Sequence, residues 1–435
     1  MPERPNILII GGGYVGLYTA FRLQKKLHRG EATITVVDAQ PNMTYQPFLP
    51  EAAAGSVEPR HVVVPLRRVL RRCRVVAGRV TDIRHAERTA TVELVTGPTQ
   101  ELSYDVLVVA AGSIARTLPI PGLAEQGIGF RTVGEAIYLR NHVLSRLDEA
   151  SSELDPERRR KALTFVFIGG GYAGVEAFAE LEDMARYALR FYPDISPEDM
   201  RWVLVEAADR ILPEVSTKLA AYTVERLVER GMDIRLNTRV ESMVDGQVKL
   251  TDGEEFGSET LVWTAGVKAN PLVARSDLPS DEKQRLVCTA QLQVRDVENA
   301  WGAGDVAAVP DLSKEDPNAL CGPSAQHAVR QAKVLADNIT AVLRGGAPKP
   351  YKHAYAGSVA SLGLHKGVAE IYGIRLKGFL AWFMHRTYHV SRVPTLNRKV
   401  RVIADWTLAL FFKREVVSLG QLQNPRREWE SATRH

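Results

Sequence analysis

Cysteine is scarce. There are three, Cys73, Cys288 and Cys321, in 435 residues, and no two stand at a C-x-x-C or C-x₄-C spacing. That excludes a disulfide scaffold, a thiolate zinc site and a dithiol redox pair. Long apolar runs are missing as well: none approaches the roughly 18 residues needed to span a bilayer. The first residues lead into a strand pattern with no charged leader and no long apolar core, so no secretory signal is expected and a reducing, cytosolic compartment follows. No sign of charge dominates, since the net is +5. It is unevenly spread, however. Ile371 to His435 holds twelve Lys/Arg against four Asp/Glu, which leaves the rest of the chain at about −3. No groove or finger motif accompanies that charge, so nucleic-acid binding is not expected. His385 and His389 have i, i+4 spacing without a third ligand nearby, and no metal site is expected.

What is present is an ordinary globular composition, 45% hydrophobic and 25% charged, over a length that suits two or three domains. One stretch organises it. Asn6 to Gly16 reads N-I-L-I-I-G-G-G-Y-V-G, an apolar run followed by glycines at 11, 13 and 16 and then a helical pattern. Gly11 allows a tight turn out of a strand, Gly13 lets backbone approach a pyrophosphate, and Gly16 lets the helix pack on the sheet. The helix start brings unpaired N–H groups and a positive dipole end. A second strand, Thr33 to Val37, ends in Asp38, placed to accept from a ribose hydroxyl. One such turn is weak evidence, because a plain turn looks the same. The repeat settles it. Thr164 to Gly174 reads T-F-V-F-I-G-G-G-Y-A-G, with glycines at 169, 171 and 174, and Trp202 to Val205 ends in Glu206. Two dinucleotide folds imply two nucleotides, a flavin exchanging electrons with a nicotinamide.

Further signals follow the same plan. Ala110-Ala111-Gly112 and Thr264-Ala265-Gly266 each close a strand with small residues that let backbone pass near a nucleotide. Gly304-Asp305 sits at a glycine turn, with the acid placed to bond sugar-alcohol hydroxyls. Gly134 to Glu149 has helical spacing, and Ser151 to Lys161 reads as a polar surface connection. Tyr187 to Asp199, with Pro193 and Pro197, reads as an insertion. In the tail, Phe379, Leu380, Trp382 and Phe383 cluster on one side of a short helix. Val402, Ile403, Trp406 and Leu410 recur at helical spacing beside Arg398, Lys399, Arg401, Lys413 and Arg414. Apolar-aromatic on one face and basic on the other is the pattern of a helix lying in a membrane interface. A helical pair closing a dimer or core has the same pattern.

The order GGGYVG…Asp38, AAG, GGGYAGVE…Glu206, TAG, GAGD, A-Q-x-A-x-x-Q and a basic aromatic C-terminus resembles the type II NADH:quinone oxidoreductases, over essentially the whole chain. The glycine motifs are shared with a wider flavoprotein class; the Ala325 to Gln331 stretch and the absence of paired cysteines narrow it. Two departures stand out, the insertion before Glu206 and Tyr45 with Pro50 in the apolar stretch 42–55. The resemblance implies an α/β chain with two Rossmann-like, glutathione-reductase-like domains. FAD would take 1–120 with 290–347, NADH would take 121–289, and 348–435 would form an amphipathic helical membrane-anchoring region. It implies FAD as cofactor, NADH as substrate and a membrane quinone, menaquinone or ubiquinone, as acceptor. It implies peripheral attachment to an anionic lipid surface on the cytoplasmic face of the cell membrane, with a homodimer left open. To the cofactor-binding set of Gly11, Gly13, Gly16, Asp38, Ala111, Gly112, Gly169, Gly171, Gly174, Glu206, Ala265, Gly266, Gly304 and Asp305 it adds Tyr14, Val15, Ala39, Gln46, Pro47, Val80, Arg116, Tyr172, Ala173, Ala325 and Gln326.

The implied chemistry is hydride transfer from NADH to FAD, then two electrons to a quinone in a respiratory chain without proton pumping. The resemblance assigns the quinone side to Gln326 and Gln331, with Glu176 close by; a helix cap and dipole partner is the other role open to Glu176. Lys366 is placed to hold negative charge on reduced flavin, or is simply solvated. Glu206 should favour NADH, because a carboxylate there repels a 2′-phosphate. Two alternatives belong to the same flavoprotein class, a sulfide:quinone oxidoreductase using Cys321 and a ferredoxin-type reductase; a third, of a different class, is a flavin-bound NADH sensor that works by shape change and not by turnover.

Overall fold

The computed structural model describes residues 4–353, 357–412 and 414–419. Lys413 and the last stretch of the basic tail lie outside the described residues. The chain forms two compact units that interleave along the sequence: Met1–Thr44, Val63–Ile114 and Val267–Tyr355 in one, Tyr45–Val62, Ala115–Gly266 and Ala356–His435 in the other.

The first unit is built on a seven-stranded sheet, in the order Ala300–Gly302, Val106–Val109, Asn6–Ile10, Thr33–Asp38, Arg74–Arg84, Thr89–Leu94, Thr99–Ser103. The first five run parallel, and each of the last two pairs antiparallel with the strand before it. Parallel strands are covered on both faces, which is why Ile7, Leu8, Ile9 and Ile10 form an unbroken apolar run and are all buried. Helix Tyr14–Lys26 lies against helix Ala325–Leu343. Arg22 clamps that pair, donating from Nε and Nη2 to the two oxygens of Asp337 at 2.7 Å each.

The second unit has a five-stranded parallel sheet, in the order Gly127–Gly129, Thr260–Trp263, Thr164–Ile168, Arg201–Val205, Asp233–Arg235. Alternation along its central strand serves both faces. Val166 and Ile168 join Val203, Val205, Leu261 and the antiparallel strands around Met243 and Val248 in one apolar cluster. On the other face Phe165 stacks on Trp202 with centroids 4.4 Å apart, and Phe167 meets Phe178 at 5.3 Å.

Several expectations are revised. Residues 267–289, given above to the second nucleotide domain, belong to the first unit, where Leu286 and Val287 pair with Ala307 and Ala308. Tyr45–Val62 goes the other way: its helix Leu49–Ala53 lies against helices Val133–Ser152 and Tyr172–Ala188. These exchanges rest on pairing between distant segments, which local pattern does not reveal. The polar run after Ser151 is not a bare connection. It contains helix Pro156–Ala162, capped by Asp155, whose side chain accepts from the N–H groups of Glu157 and Arg158.

The tail is not purely helical. It begins with an antiparallel sheet, Ser358–Ser361, Gly367–Ile371 and Ile374–Lys377, whose second turn places Tyr372 at φ 48° and Gly373 at φ 82°. Helix Gly378–Arg392 packs on that sheet, and helix Leu396–Phe411 follows. Phe379, Leu380 and Phe383 are exposed as expected, but Trp382 is buried. On the last helix Val402 is buried while Ile403 and Leu410 are exposed, so the apolar positions divide between two faces. Arg414, read as part of the basic face, is also turned inward. Among the described residues no helix is long and apolar enough to cross a membrane.

Candidate functional site

Within each unit the site residues gather at the carboxyl ends of neighbouring parallel strands, the place where such sheets bind ligands. In the first unit these are Gly11, Gly13, Tyr14, Val15, Gly16, Asp38, Ala39, Ala111, Gly112, Gly304 and Asp305. Val80 lies on strand Arg74–Arg84 beyond Ala77, the register partner of Asp38. In the second unit Gly169, Gly171, Tyr172, Ala173, Gly174, Glu206, Ala265 and Gly266 occupy the matching places. Arg116 accompanies them there, its N–H donating to Gly266 O at 3.2 Å. Gln46 and Pro47 also belong to the second unit, and Gln46 Nε2 donates to Arg131 O at 3.2 Å.

The glycines repeat one geometry. Gly11 has φ 101°, and a Cβ there would meet Ala110 O at 2.3 Å; one on Gly16 would meet Gly11 O at 1.8 Å. Their counterparts are as crowded: Gly169 has φ 112°, and a Cβ on Gly174 would lie 2.0 Å from Gly169 O. The middle glycines differ. At Gly13 and Gly171 a Cβ would meet no protein atom within 4 Å. Both are helix N-caps without a side-chain cap, and neither helix carries an acid in its first turn. Open space, uncapped N–H groups and a positive dipole end are what a pyrophosphate needs.

The strand-end acids match as well. Asp38 accepts from Gly12 N at 2.5 Å and Gln40 N at 2.7 Å; Glu206 accepts from Gly170 N at 2.5 Å and Ala208 N at 2.7 Å. Each oxygen keeps a lone pair for a ribose hydroxyl. Burial holds the Asp38 carboxyl above its ordinary value despite the two donors.

Other residues of the first unit shape the floor beneath its cradle. Ser113 Oγ donates to Asp305 Oδ2 at 2.7 Å. Gln331 is 1% exposed, and its Oε1 accepts from Gly304 N at 2.7 Å, so its carboxamide holds the Gly304-Asp305 turn. Gln326 is half-buried in the first turn of helix Ala325–Leu343; its N–H is capped by Ser324 Oγ at 3.1 Å and its Oε1 faces Arg330 at 3.2 Å. The structure also gathers Asp311, Cys321 and His327, whose ligand-capable atoms lie within 4.8 Å of one another, a trio not anticipated from spacing. Its members are engaged: Asp311 accepts from Ser313 Oγ at 2.5 Å, and His327 Nδ1 lies 3.0 Å from the Tyr351 hydroxyl. Burial pushes the Cys321 thiol up to about 11, away from the thiolate a metal takes.

The second unit holds a buried charge cluster that sequence reasoning largely missed. Glu176, Glu180 and Asp183 form a stripe on one face of helix Tyr172–Ala188, and Glu176 is 6% exposed. It does not cap the helix. Its Oε1 accepts from Ser361 N at 2.9 Å and lies 3.1 Å from His385 Nε2. Ser361 Oγ donates to Glu180 at 2.6 Å. Arg414 Nη2 reaches Asp183 at 2.9 Å and Glu180 at 3.6 Å. Lys366 Nζ donates to Asp183 at 3.2 Å. From helix Leu49–Ala53 comes Glu51, whose Oε2 accepts from Trp406 Nε1 at 2.8 Å and Arg386 at 2.9 Å. Burial opposes charge on His385, yet Glu176, Glu51 and Glu180 together hold its imidazole above the ordinary value. Burial, with Glu51 and Asp183 beside it, likewise raises Glu180. Burial also works against charge on Asp183, but Arg414, Lys366 and Arg230 keep its carboxyl low. Two signals were available in the sequence: acids at i, i+4 and i+7 in a largely apolar helix, and one acid, Glu51, inside an apolar run.

This fold and these twin cradles define a nucleotide-dependent flavoprotein class: residues 5–332 match the pyridine nucleotide-disulphide oxidoreductase family model. The chain is 30% identical to the type II NADH:quinone oxidoreductase Ndh of Mycobacterium tuberculosis, over 97% of its own length and 90% of that protein's. It therefore belongs to the type II NADH:quinone oxidoreductase family. Among solved structures it superposes on NDH2 of Plasmodium falciparum in complex with NADH with a TM-score of 0.89, at 17% identity, covering 95% of this chain and 100% of that one. The sulfide:quinone oxidoreductase of Aquifex aeolicus gives 0.70 at 18% identity, covering 94% and 96%. These structural likenesses are of fold alone.

Proposed function

We propose that this protein binds FAD in the first unit, oxidises NADH bound by the second, and passes two electrons to a membrane quinone, menaquinone or ubiquinone. The observation that carries the reading is the pair of middle glycines, Gly13 and Gly171, each open where its neighbours are crowded. Bound FAD would supply hydride acceptance and two-electron delivery. The chain's own residues do the rest. The two helix starts hold the pyrophosphates, and Asp38 and Glu206 orient ribose hydroxyls. Asp305, fixed by Ser113, bonds the flavin's sugar-alcohol chain, and Gln331 keeps the turn before it in shape. Gln326 contacts the quinone. Glu176, buried and paired with Ser361 and His385, gives it a proton. Lys366 balances charge through Asp183. The exposed apolar residues of the last two helices rest on an anionic lipid surface, at the cytoplasmic face of the membrane.

Anaerobic addition of NADH, followed in the flavin absorbance and then by a menaquinone or ubiquinone analogue, tests the sequence of events. Bleaching by NADH and recovery on quinone addition are expected. Protein that stays colourless when supplied with FAD would end the reading. Gln326→Ala should slow only the quinone step; equal loss in both steps would remove Gln326 from it.

A further inference from the structure

We propose that Arg330 is a positioning residue for the quinone step: by holding the oxygen of the Gln326 carboxamide, it turns the amide nitrogen toward the acceptor. This rests on the reading that Gln326 contacts the quinone. A side-chain amide has nearly the same shape either way round, yet one end donates and the other accepts, and a quinone carbonyl only accepts. An amide facing it the wrong way sets oxygen against oxygen. Something must therefore fix which end points outward.

The helix supplies it. Gln326 and Arg330 stand at i, i+4 spacing on helix Ala325–Leu343, which puts them on one face. Arg330 Nη1 lies 3.2 Å from Gln326 Oε1. A guanidinium donates and never accepts, so the end of the amide that meets it can only be oxygen. The contact does more than orient. A cation on the oxygen polarises the amide, and hydrogen bonds in series strengthen one another, so the N–H groups become better donors. As electrons arrive and negative charge grows on the quinone oxygen, such a donor binds it more tightly than it binds the ground state, which is what lowers a barrier.

The surroundings of Arg330 leave its charge to that task. Arg22 and Arg344, in the same unit, are each clamped by an acid. Arg330 is half-buried, yet among the described residues no carboxylate pairs with it. Its other neighbour is an imidazole: Nη1 lies 3.1 Å from His353 Nδ1. The His353 ring lies against that of His327, with centroids 4.2 Å apart. The hydroxyl of buried Tyr351 pins both, 3.0 Å from His327 Nδ1 and 3.1 Å from His353 Nδ1. Burial, reinforced by the charge of Arg330, holds both imidazoles below the ordinary histidine value, His353 at about 4. A neutral ring can accept from the guanidinium, where an imidazolium would repel it. A carboxylate in that place would have neutralised Arg330; neutral partners leave its charge to act on Gln326. A half-buried cation without a counter-charge costs stability, and its use on the amide accounts for that cost.

The test is stopped-flow of the two half-reactions in the FAD-loaded full chain, arranged as a double-mutant cycle. Arg330→Met keeps much of the side chain's bulk and removes the donor. Quinone-dependent reoxidation should slow on the order of tenfold, with NADH-dependent reduction within about twofold. Arg330→Lys, which still donates, should recover most of the rate. On a Gln326→Ala background Arg330→Met should slow the quinone step no further, because no amide is left to orient; a merely structural role would add its own loss. Should Arg330→Met not fold, Gln326→Glu carries the test. It keeps the shape and gives Arg330 a carboxylate, but no N–H remains. Its quinone step should slow on the order of a hundredfold, with flavin content and denaturation midpoint retained. A normal quinone step in Arg330→Met, an Arg330→Lys chain as slow as Arg330→Met, full additivity in the cycle, or a normal quinone step in Gln326→Glu where Gln326→Ala is slow, would each overturn the assignment. A normal quinone step in Gln326→Ala would instead bring down the reading beneath it.

Discussion

The Trp406 indole N–H donates to Oε2 of Glu51 at 2.8 Å, so one face of the last helix is tied to the buried acids while the other is apolar and exposed. Trp406→Phe keeps an aromatic ring beside Phe48, whose centroid lies 5.6 Å from that of the indole, and removes the donor together with part of the ring. The expected loss is about 1–3 kcal/mol, the cost of an under-partnered buried acceptor. Chemical denaturation reads it as a lowered midpoint; an unchanged midpoint would show that the bond contributes nothing.

Stability should fall as the medium becomes alkaline. His385 and Glu180 both sit above their ordinary values in the folded state. A group raised on folding adds stability that is complete below its unfolded value and is lost as pH climbs through the folded one. For His385 that window opens above about 6.5, the ordinary histidine value. Thermal melts from pH 6 to 9 should decline, and His385→Gln should flatten the decline. A variant that declines as steeply as the parent would contradict this.

Coenzyme choice should follow Glu206. Its oxygens are fixed by Gly170 and Ala208, so the side chain cannot swing away from a 2′-phosphate without giving up both bonds. Like-charge contact of this kind costs several kcal/mol, so kcat/KM for NADH should exceed that for NADPH by roughly a hundredfold. Glu206→Ala should narrow the ratio. Equal efficiency with both coenzymes in the unaltered protein would be fatal to the assignment.

The thiols should be inert. Burial lifts Cys73 to about 12 and Cys321 to about 11, and lifts Cys288 further. At pH 8 roughly a thousandth of Cys321 is thiolate, the reactive form. Iodoacetamide should label none of the three until denaturant is added, and sulfide should not drive quinone reduction. Rapid labelling of Cys321 in the folded protein would reopen the sulfide:quinone alternative.

Membrane attachment is best tested by point changes. Truncation at Ile371 removes the buried Trp382, His385, Arg386 and Val402 along with the exposed residues, so lost binding would be confounded with lost folding. Leu380→Glu with Phe383→Glu alters only exposed apolar positions. Burying each such side chain is worth about 1.5–3 kcal/mol, so partitioning onto anionic vesicles should drop more than tenfold. Turnover with a water-soluble quinone analogue should persist. Undiminished vesicle binding would move the contact surface elsewhere.

Much of this was legible in the sequence because it is local. Strand, glycine turn, helix and terminal acid fall within some forty residues, and the positive φ of Gly11 and Gly169 belongs to the turn that leaves the strand. The rest was hidden because it depends on distance along the chain. Glu51, Ser361, His385 and Arg414 meet the acids of one helix from segments that share no pattern with it. Trp382 and Val402 sat in apolar stripes whose two faces periodicity alone could not tell apart. Gln331 lies only five positions from Gln326, yet a helical turn and a half carries it inward to the backbone of Gly304.

The stripe of acids on helix Tyr172–Ala188 also bears on the order of assembly. Apart from Arg230, its counter-charges arrive from Lys366, His385 and Arg414, long after the helix has left the ribosome. Until those segments emerge, docking this helix strands carboxylates in a dry interior. The second unit therefore closes only after residues 361–414 have emerged, and that segment acts as its latch.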